Sequence, residues 1–318
     1  MDVELLIGRA LGLARAKALA LALRPLPLGS AYRIARRHGR RTFRRRRPDL
    51  QAHADEMRSR LNATGEDVDR WLGLYFELAS SEKLEAHVYH RFRQRDVDRV
   101  LQIRGLSSLD DALARGNGAV LYSGHVMGHF TFFVALALHG IPLTILGFPD
   151  DVEQWVAQRR DAFMERRLGA ELLRMQSGSF DVAIRALHAL RQNRIVLIEI
   201  DQTRSRHRIT TEFLGRTGSF PVGPALIADA GRAPLVPFWI HRPAEWSPQI
   251  AEIGEPLYVR GDVEGATRAC AAALETSIRR DPPSWLPWLF SRKLVWEPAD
   301  RSGGSDPQAA DQSPTDSP

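Results

Sequence analysis

Residues 119–140 constrain this chain more than any other stretch. Ala119 to Tyr122 is a short unbroken apolar run, Ser123 and Gly124 interrupt it, and Thr131 to Leu138 resumes an apolar pattern that Gly140 ends. The first run reads as a buried strand and the second as a helix stopped by a glycine just past its last turn. His125 then falls where a strand ends and a helix begins. In open α/β sheets ligands bind at that end of the strands, and a helix start offers unpaired N–H groups and the positive end of a dipole. A neutral imidazole there can take a proton from a hydroxyl whose oxygen attacks an activated carbonyl, with the amides of residues 126–129 holding the oxyanion. A loop histidine that caps a turn is the competing reading.

The same alternation continues along the chain. Ile141 to Leu146, Arg194 to Asp201, a segment starting at Leu235 and Ile250 to Val259 read as strands. Leu106 to Arg115, Val152 to Leu168, Phe180 to Arg191 and Gly265 to Arg280 read as helices, and residues 50–99 look helical, with Trp71, Leu72, Tyr75 and Phe76 as core. Strands alternating with helices predict an α/β domain, a mixed sheet flanked by helices. Asp201 closes its strand, and Glu199 is expected in the strand interior or facing away from its neighbours. With 318 residues, 44% of them hydrophobic, the chain can form one large domain plus extensions. Its single cysteine, Cys270, excludes an internal disulfide and a cysteine-based zinc cluster, and its Ala-rich surroundings predict buried packing.

Charge is concentrated near the start. Arg33, Arg36, Arg37, Arg40, Arg41 and Arg44 recur at helical spacing on one broad face, Arg45 to Arg47 follow, and Pro48 ends the run. Like charges at that spacing repel, so an anionic partner is expected, and the formal charge of +6 points the same way. A membrane surface suits it; nucleic acid is not expected, because no base-reading motif or aromatic platform accompanies the arginines. Residues 3–24 are apolar but interrupted by Arg9, Arg15 and Lys17, too short a run to span a bilayer. They read either as a peripheral membrane helix or as a packing helix. The sequence divides into a basic N-terminal helical segment (1–48), an α/β domain (49–300) and a Ser/Pro/Asp-rich tail expected to be disordered (301–318).

Several blocks together resemble the late lipid A acyltransferases, the lauroyl/myristoyl type within the lysophospholipid acyltransferase group. The family's first motif is a strand, Ser/Gly-His, four residues, then Glu or Asp; His125 matches its catalytic histidine, and Phe130 stands where the acid would be. Phe148-Pro149 replaces the family's Arg-Pro pair, while Asp201-Gln202 matches its Asp-Gln motif. Gly218 to Leu226, Gly231 to Pro237, and the closing segment Pro282 to Lys293 match further blocks; the tryptophans of the last are either core or interfacial anchors. The resemblance implies an acyltransferase-like α/β fold and transfer of a fatty acyl group from an acyl carrier protein or coenzyme A thioester to a hydroxyl of a lipid or glycolipid. His125 would be the general base and Asp201 its orienting carboxylate. His129, Phe130, Phe148, Gln202, Arg204 and Gly223 would meet substrate, with no metal or other cofactor, at the cytoplasmic face of the inner membrane. Asp150 and Asp151 read as an alternative carboxylate source or as helix caps. A non-catalytic lipid- or carrier-binding relative is the alternative function. The His125/His129 spacing resembles a zinc site but lacks the glutamate of such motifs.

Overall fold

The computed structural model describes residues 26–88, 92–147, 154–174, 181–201, 207–243 and 247–289. Three helices come first: α1 (Leu28–Arg46), α2 (Gln51–Leu61) and α3 (Gly65–Val88), with a short α4 (Gln94–Val97) after them. The alternating part follows as β1 (Leu101–Arg104), α5 (Leu106–Ala114), β2 (Ala119–Ser123), α6 (His129–Leu138), β3 (Leu143–Gly147), α7 (Gln154–Leu168), β4 (Glu171–Arg174), α8 (Asp181–Arg191) and β5 (Ile195–Glu199). A hairpin of β6 (Arg208–Phe213) and β7 (Arg216–Pro221) precedes α9 (Gly223–Gly231), β8 (Leu235–His241), β9 (Gln249–Ile253) and α10 (Val263–Arg280). Single 3₁₀ turns at Pro282–Ser284 and Leu286–Leu289 close the described chain.

Among the described residues the main sheet runs β1-β9-β8-β2-β5-β3-β4, with every pair parallel except β8–β9. β2 and β5 are central. All five residues of β2 are buried, as parallel strands covered by helices on both faces require. The expected mixed α/β sheet is therefore present. Its edge strands β1 and β4 escape the sequence reading because four-residue polar-apolar segments carry too little periodicity. The β6–β7 hairpin turns at Leu214 and Gly215, which adopt φ +49° and +72°, a tight turn that glycine makes easy.

The N-terminal helices share the core of the domain. Ala31, Tyr32, Ala35 and Leu50 lie in the same apolar cluster as the sheet residues. α1 crosses α3 at Gly39, where an added Cβ would sit 2.8 Å from the Glu77 Cα. That contact corrects the reading of the arginine face. Arg36 is buried and Arg40 donates to buried Glu77 at 2.5 Å, while Arg33, Arg37, Arg41 and Arg44 stay exposed. The arginine arc is wide enough that its two border positions reach the helix interface.

Candidate functional site

β2 delivers His125 to the carboxyl edge of the sheet, beside the end of β5. The β2–β5 register sets Ser123 opposite Glu199, and the Ile200 N–H donates to the Ser123 carbonyl at 2.8 Å. Asp201 emerges just beyond, fully buried. Its Oδ1 lies 2.6 Å from His125 Nδ1, and its Oδ2 accepts the His125 backbone N–H at 2.8 Å and the Trp285 indole N–H at 3.0 Å. Three N–H groups thus converge on one carboxylate, which fixes both the ring and the turn that carries it.

Gly124 permits this approach. A Cβ there would stand 2.7 Å from Asp201 Oδ2 and 3.0 Å from a Leu274 methyl. Asp201 cannot yield without dropping its hydrogen bonds. Gly124→Ala is therefore expected to destabilise the protein by about 1–3 kcal/mol, the usual cost of overpacking, visible as a lower melting temperature. An unchanged melting temperature would show that Asp201 is free to move.

The turn after His125 is stitched to the closing segment. Val126 bridges Trp285, the Met127 N–H donates to the Ser284 carbonyl at 2.8 Å, and Leu286 N–H donates to the His125 carbonyl at 2.9 Å. Trp285 and Trp288 are buried and pack edge to face at 4.9 Å, so both belong to the core rather than to a membrane interface. These contacts also revise the expected oxyanion amides. Met127 donates to Ser284, His129 to the Val126 carbonyl, and the Gly128 backbone hydrogen-bonds Glu82. Three of the four amides already have partners within the fold.

Glu199 departs most from expectation. Its Oε2 lies 2.8 Å from His125 Nε2, so the imidazole sits between two carboxylates. Strand alternation explains this: Glu199 and Asp201 are two residues apart and project to the same side, a parity the sequence already contains. Burial opposes charge on His125, but the Glu199 and Asp201 charges outweigh it and carry the imidazole up to about 10. Glu82, half-buried on α3 and facing Glu85 and Glu199, is pushed up to about 8, mainly by loss of water. It lies 3.7 Å from His129 Nδ1, and His129 Nε2 lies 3.9 Å from Glu199 Oε1.

His129 begins α6, so it and His125 do not share a helical face; the two rings meet through Glu199 instead. His129 Nδ1 hydrogen-bonds the Val126 carbonyl at 2.7 Å. Phe130, in place of the motif acid, stacks on His129 at 4.1 Å and carries the Arg160 guanidinium 4.2 Å above its ring. The acid absent from position 130 is thus met in space by carboxylates from β5, and an arginine arrives from α7. Gly223 opens α9 with open space around its α-carbon, and among the described residues it takes no part in the His125 network. Phe148, Gln202 and Arg204 lie outside the described residues, as do Asp150, Asp151, residues 3–24 and the tail. Cys270 is buried and its thiol is pushed up to about 12 by burial, as a packing residue. Trp285 is the residue that sequence reasoning missed as a partner of the site; only its position in a block resembling the family pointed to it.

The sequence has counterparts among known proteins. The profile of the family described as bacterial lipid A biosynthesis acyltransferase matches residues 81–294. A phosphatidylinositol mannoside acyltransferase of Mycobacterium tuberculosis (strain CDC 1551 / Oshkosh) is 30% identical over 202 residues, which is 62% of this chain and 60% of that protein. The protein of the same name from strain ATCC 25618 / H37Rv is 30% identical over 204 residues, 62% of this chain and 61% of its own length. The chain spans about three fifths of the length of these curated relatives.

Proposed function

The chain belongs to the bacterial lipid A biosynthesis acyltransferase family, and from that membership we propose that it transfers a fatty acyl group from a thioester to a hydroxyl of a lipid or glycolipid. The observation that carries the reading is the buried His125 imidazole, held through Nδ1 by Asp201 and through Nε2 by Glu199. In the proposed reaction the acceptor hydroxyl replaces Glu199 at Nε2. With Nδ1–H held by Asp201, Nε2 takes the hydroxyl proton while the oxygen attacks the thioester carbonyl. The tetrahedral intermediate expels the thiolate, which takes that proton from the imidazolium. The ester and the free thiol leave, and the ring is neutral again.

The name of the mycobacterial relatives favours a phosphatidylinositol mannoside-like glycolipid as the acceptor. Acyl carrier protein and coenzyme A are the two donor carriers under this proposal. The exposed Arg37, Arg41 and Arg44 on α1 support peripheral docking to anionic lipid at the cytoplasmic face of the inner membrane, each contributing on the order of 1 kcal/mol. Among the described residues no helix is long and apolar enough to cross a membrane.

The test is direct. Purified protein is incubated with palmitoyl-coenzyme A or palmitoyl-acyl carrier protein and a phosphatidylinositol mannoside, and the lipids are analysed by mass spectrometry. A product heavier by one palmitoyl group is expected with at least one donor. Hydrolysis alone, or no change with either donor and with lipid A precursors as acceptors, rejects the proposal.

A further inference from the structure

A concave feature lies beside the Met127–Gly128 turn. It is a cavity of about 1100 Å³ bounded by the start of α1, the segment around α4, α7 and the strand ends near Arg242 and Gln249. Arginines dominate its wall. Arg33 and Arg36 come from α1, Arg93, Arg95 and Arg99 from around α4, Arg167 from α7, and Arg242 from the end of β8. Asp96 is the acidic residue in the same lining, and its carboxylate accepts the Arg93 backbone N–H at 3.3 Å.

The cavity floor is built rather than incidental. Arg36 is 7% exposed and Gln249 is 5% exposed. Arg242 is pushed down to about 10, first by loss of water and then by the like charge of Arg36, while Glu85 and Glu77 beneath oppose the shift. Arg36 and Arg242 repel each other at this floor, the Glu85 and Glu77 carboxylates offset part of that repulsion, and a phosphate entering the cavity would offset more. Tyr32, Phe92 and Phe163 add flat apolar wall between the charges. The floor also touches the catalytic turn: Gln249 Nε2 donates to the Met127 carbonyl at 3.2 Å, and a Cβ at Gly128 would stand 2.7 Å from Gln249 Oε1.

We propose that this cavity binds the phosphate groups of a multiply charged small organic phosphate, held by paired arginines beside the His125 turn. Guanidinium forks match phosphate oxygens two by two, and the cavity has the volume of a small-molecule site rather than the flatness of a membrane contact. The aromatic wall suits a base or sugar ring attached to those phosphates. The proposal rests on the acyl-transfer reading for its choice of ligands, because a coenzyme A donor carries a nucleotide with several phosphates and a phosphoinositide-type acceptor carries a phosphorylated polyol. Both offer the same chemistry.

Isothermal titration calorimetry on the full chain distinguishes these sources. Adenosine 3′,5′-bisphosphate probes the donor nucleotide, inositol 1-phosphate and glycerophosphoinositol probe the acceptor headgroup, and phosphatidylglycerol vesicles probe a plain anionic surface. Binding to one of the soluble phosphates is expected, weakening with salt, and falling at least roughly tenfold in Arg99→Gln/Arg167→Gln, both exposed rim positions. His125→Ala is expected to keep that binding, so loss of the transfer reading and loss of the phosphate site are separable. Failure of all soluble phosphates, equal binding by the folded double variant, or binding to vesicles alone overturns the proposal.

Discussion

Asp201→Asn is expected to lower kcat by about 10²–10⁴-fold, the range that general acid–base chemistry contributes. His125→Ala is expected to remove transfer altogether. The asparagine case is the more telling because its shape is almost unchanged. Asp201 accepts from His125 Nδ1, the His125 backbone N–H and the Trp285 indole. An asparagine has one oxygen and an NH₂ group. Whichever way it turns, the NH₂ confronts a donor. If it faces Nδ1, the ring must move its proton to Nε2 and can no longer accept from a hydroxyl. If it faces the turn, the backbone N–H and the indole lose their acceptor. Steady-state kinetics with circular dichroism to verify folding decides the matter. A folded Asp201→Asn enzyme with wild-type kcat would remove Asp201 from the mechanism.

Glu199→Gln is expected to move the acid limb of the kcat/KM profile to lower pH by roughly 1–3 units, the effect of removing an opposite charge at contact distance. The sign follows from the environment of the base. His125 is raised to about 10, with Glu199 the leading favourable influence against burial. A base works in its neutral form, so the free enzyme gains activity as pH rises through that value. Taking away the Glu199 charge weakens the hold on the proton, the neutral imidazole forms at lower pH, and the rising limb shifts down with it. The limb in kcat is expected to move less, because bound acceptor has already displaced Glu199. A profile with an unmoved limb in kcat/KM would mean that Glu199 does not set the charge state of His125. Asp201→Asn does not mimic this result, since it disturbs the tautomer and the turn as well as the charge.

The two variants separate what was legible in the sequence from what was not. His125 and Asp201 both stand where an apolar run gives way to polar residues, so local pattern locates them at strand ends. That they are adjacent strands was not local information: β2 and β5 are neighbours because β3 and β4 pair on the far side of β5, and β8 on the far side of β2. Glu199 was misread because alternation was applied to its immediate neighbours rather than to Asp201 two residues on. Phe130 looked like a lost carboxylate, but its ring packs between His129 and Arg160, and the carboxylates come from elsewhere in the chain.

The sequence by itself determined the alternation of strands and helices, the strand–turn–helix that carries His125, the strand-end position of Asp201 and the burial of Cys270. Those follow from hydrophobic periodicity and turn residues, which act over a few positions. Only the tertiary structure decided that Glu199 completes the pair of carboxylates around His125, that Trp285 anchors Asp201 across 84 residues, and that Arg36 and Arg40 turn inward while their neighbours remain exposed. These depend on strand order and on which helix covers which face. Such contacts are settled by packing and by the cost of burying charge without a partner, and no short stretch of sequence contains both sides of them.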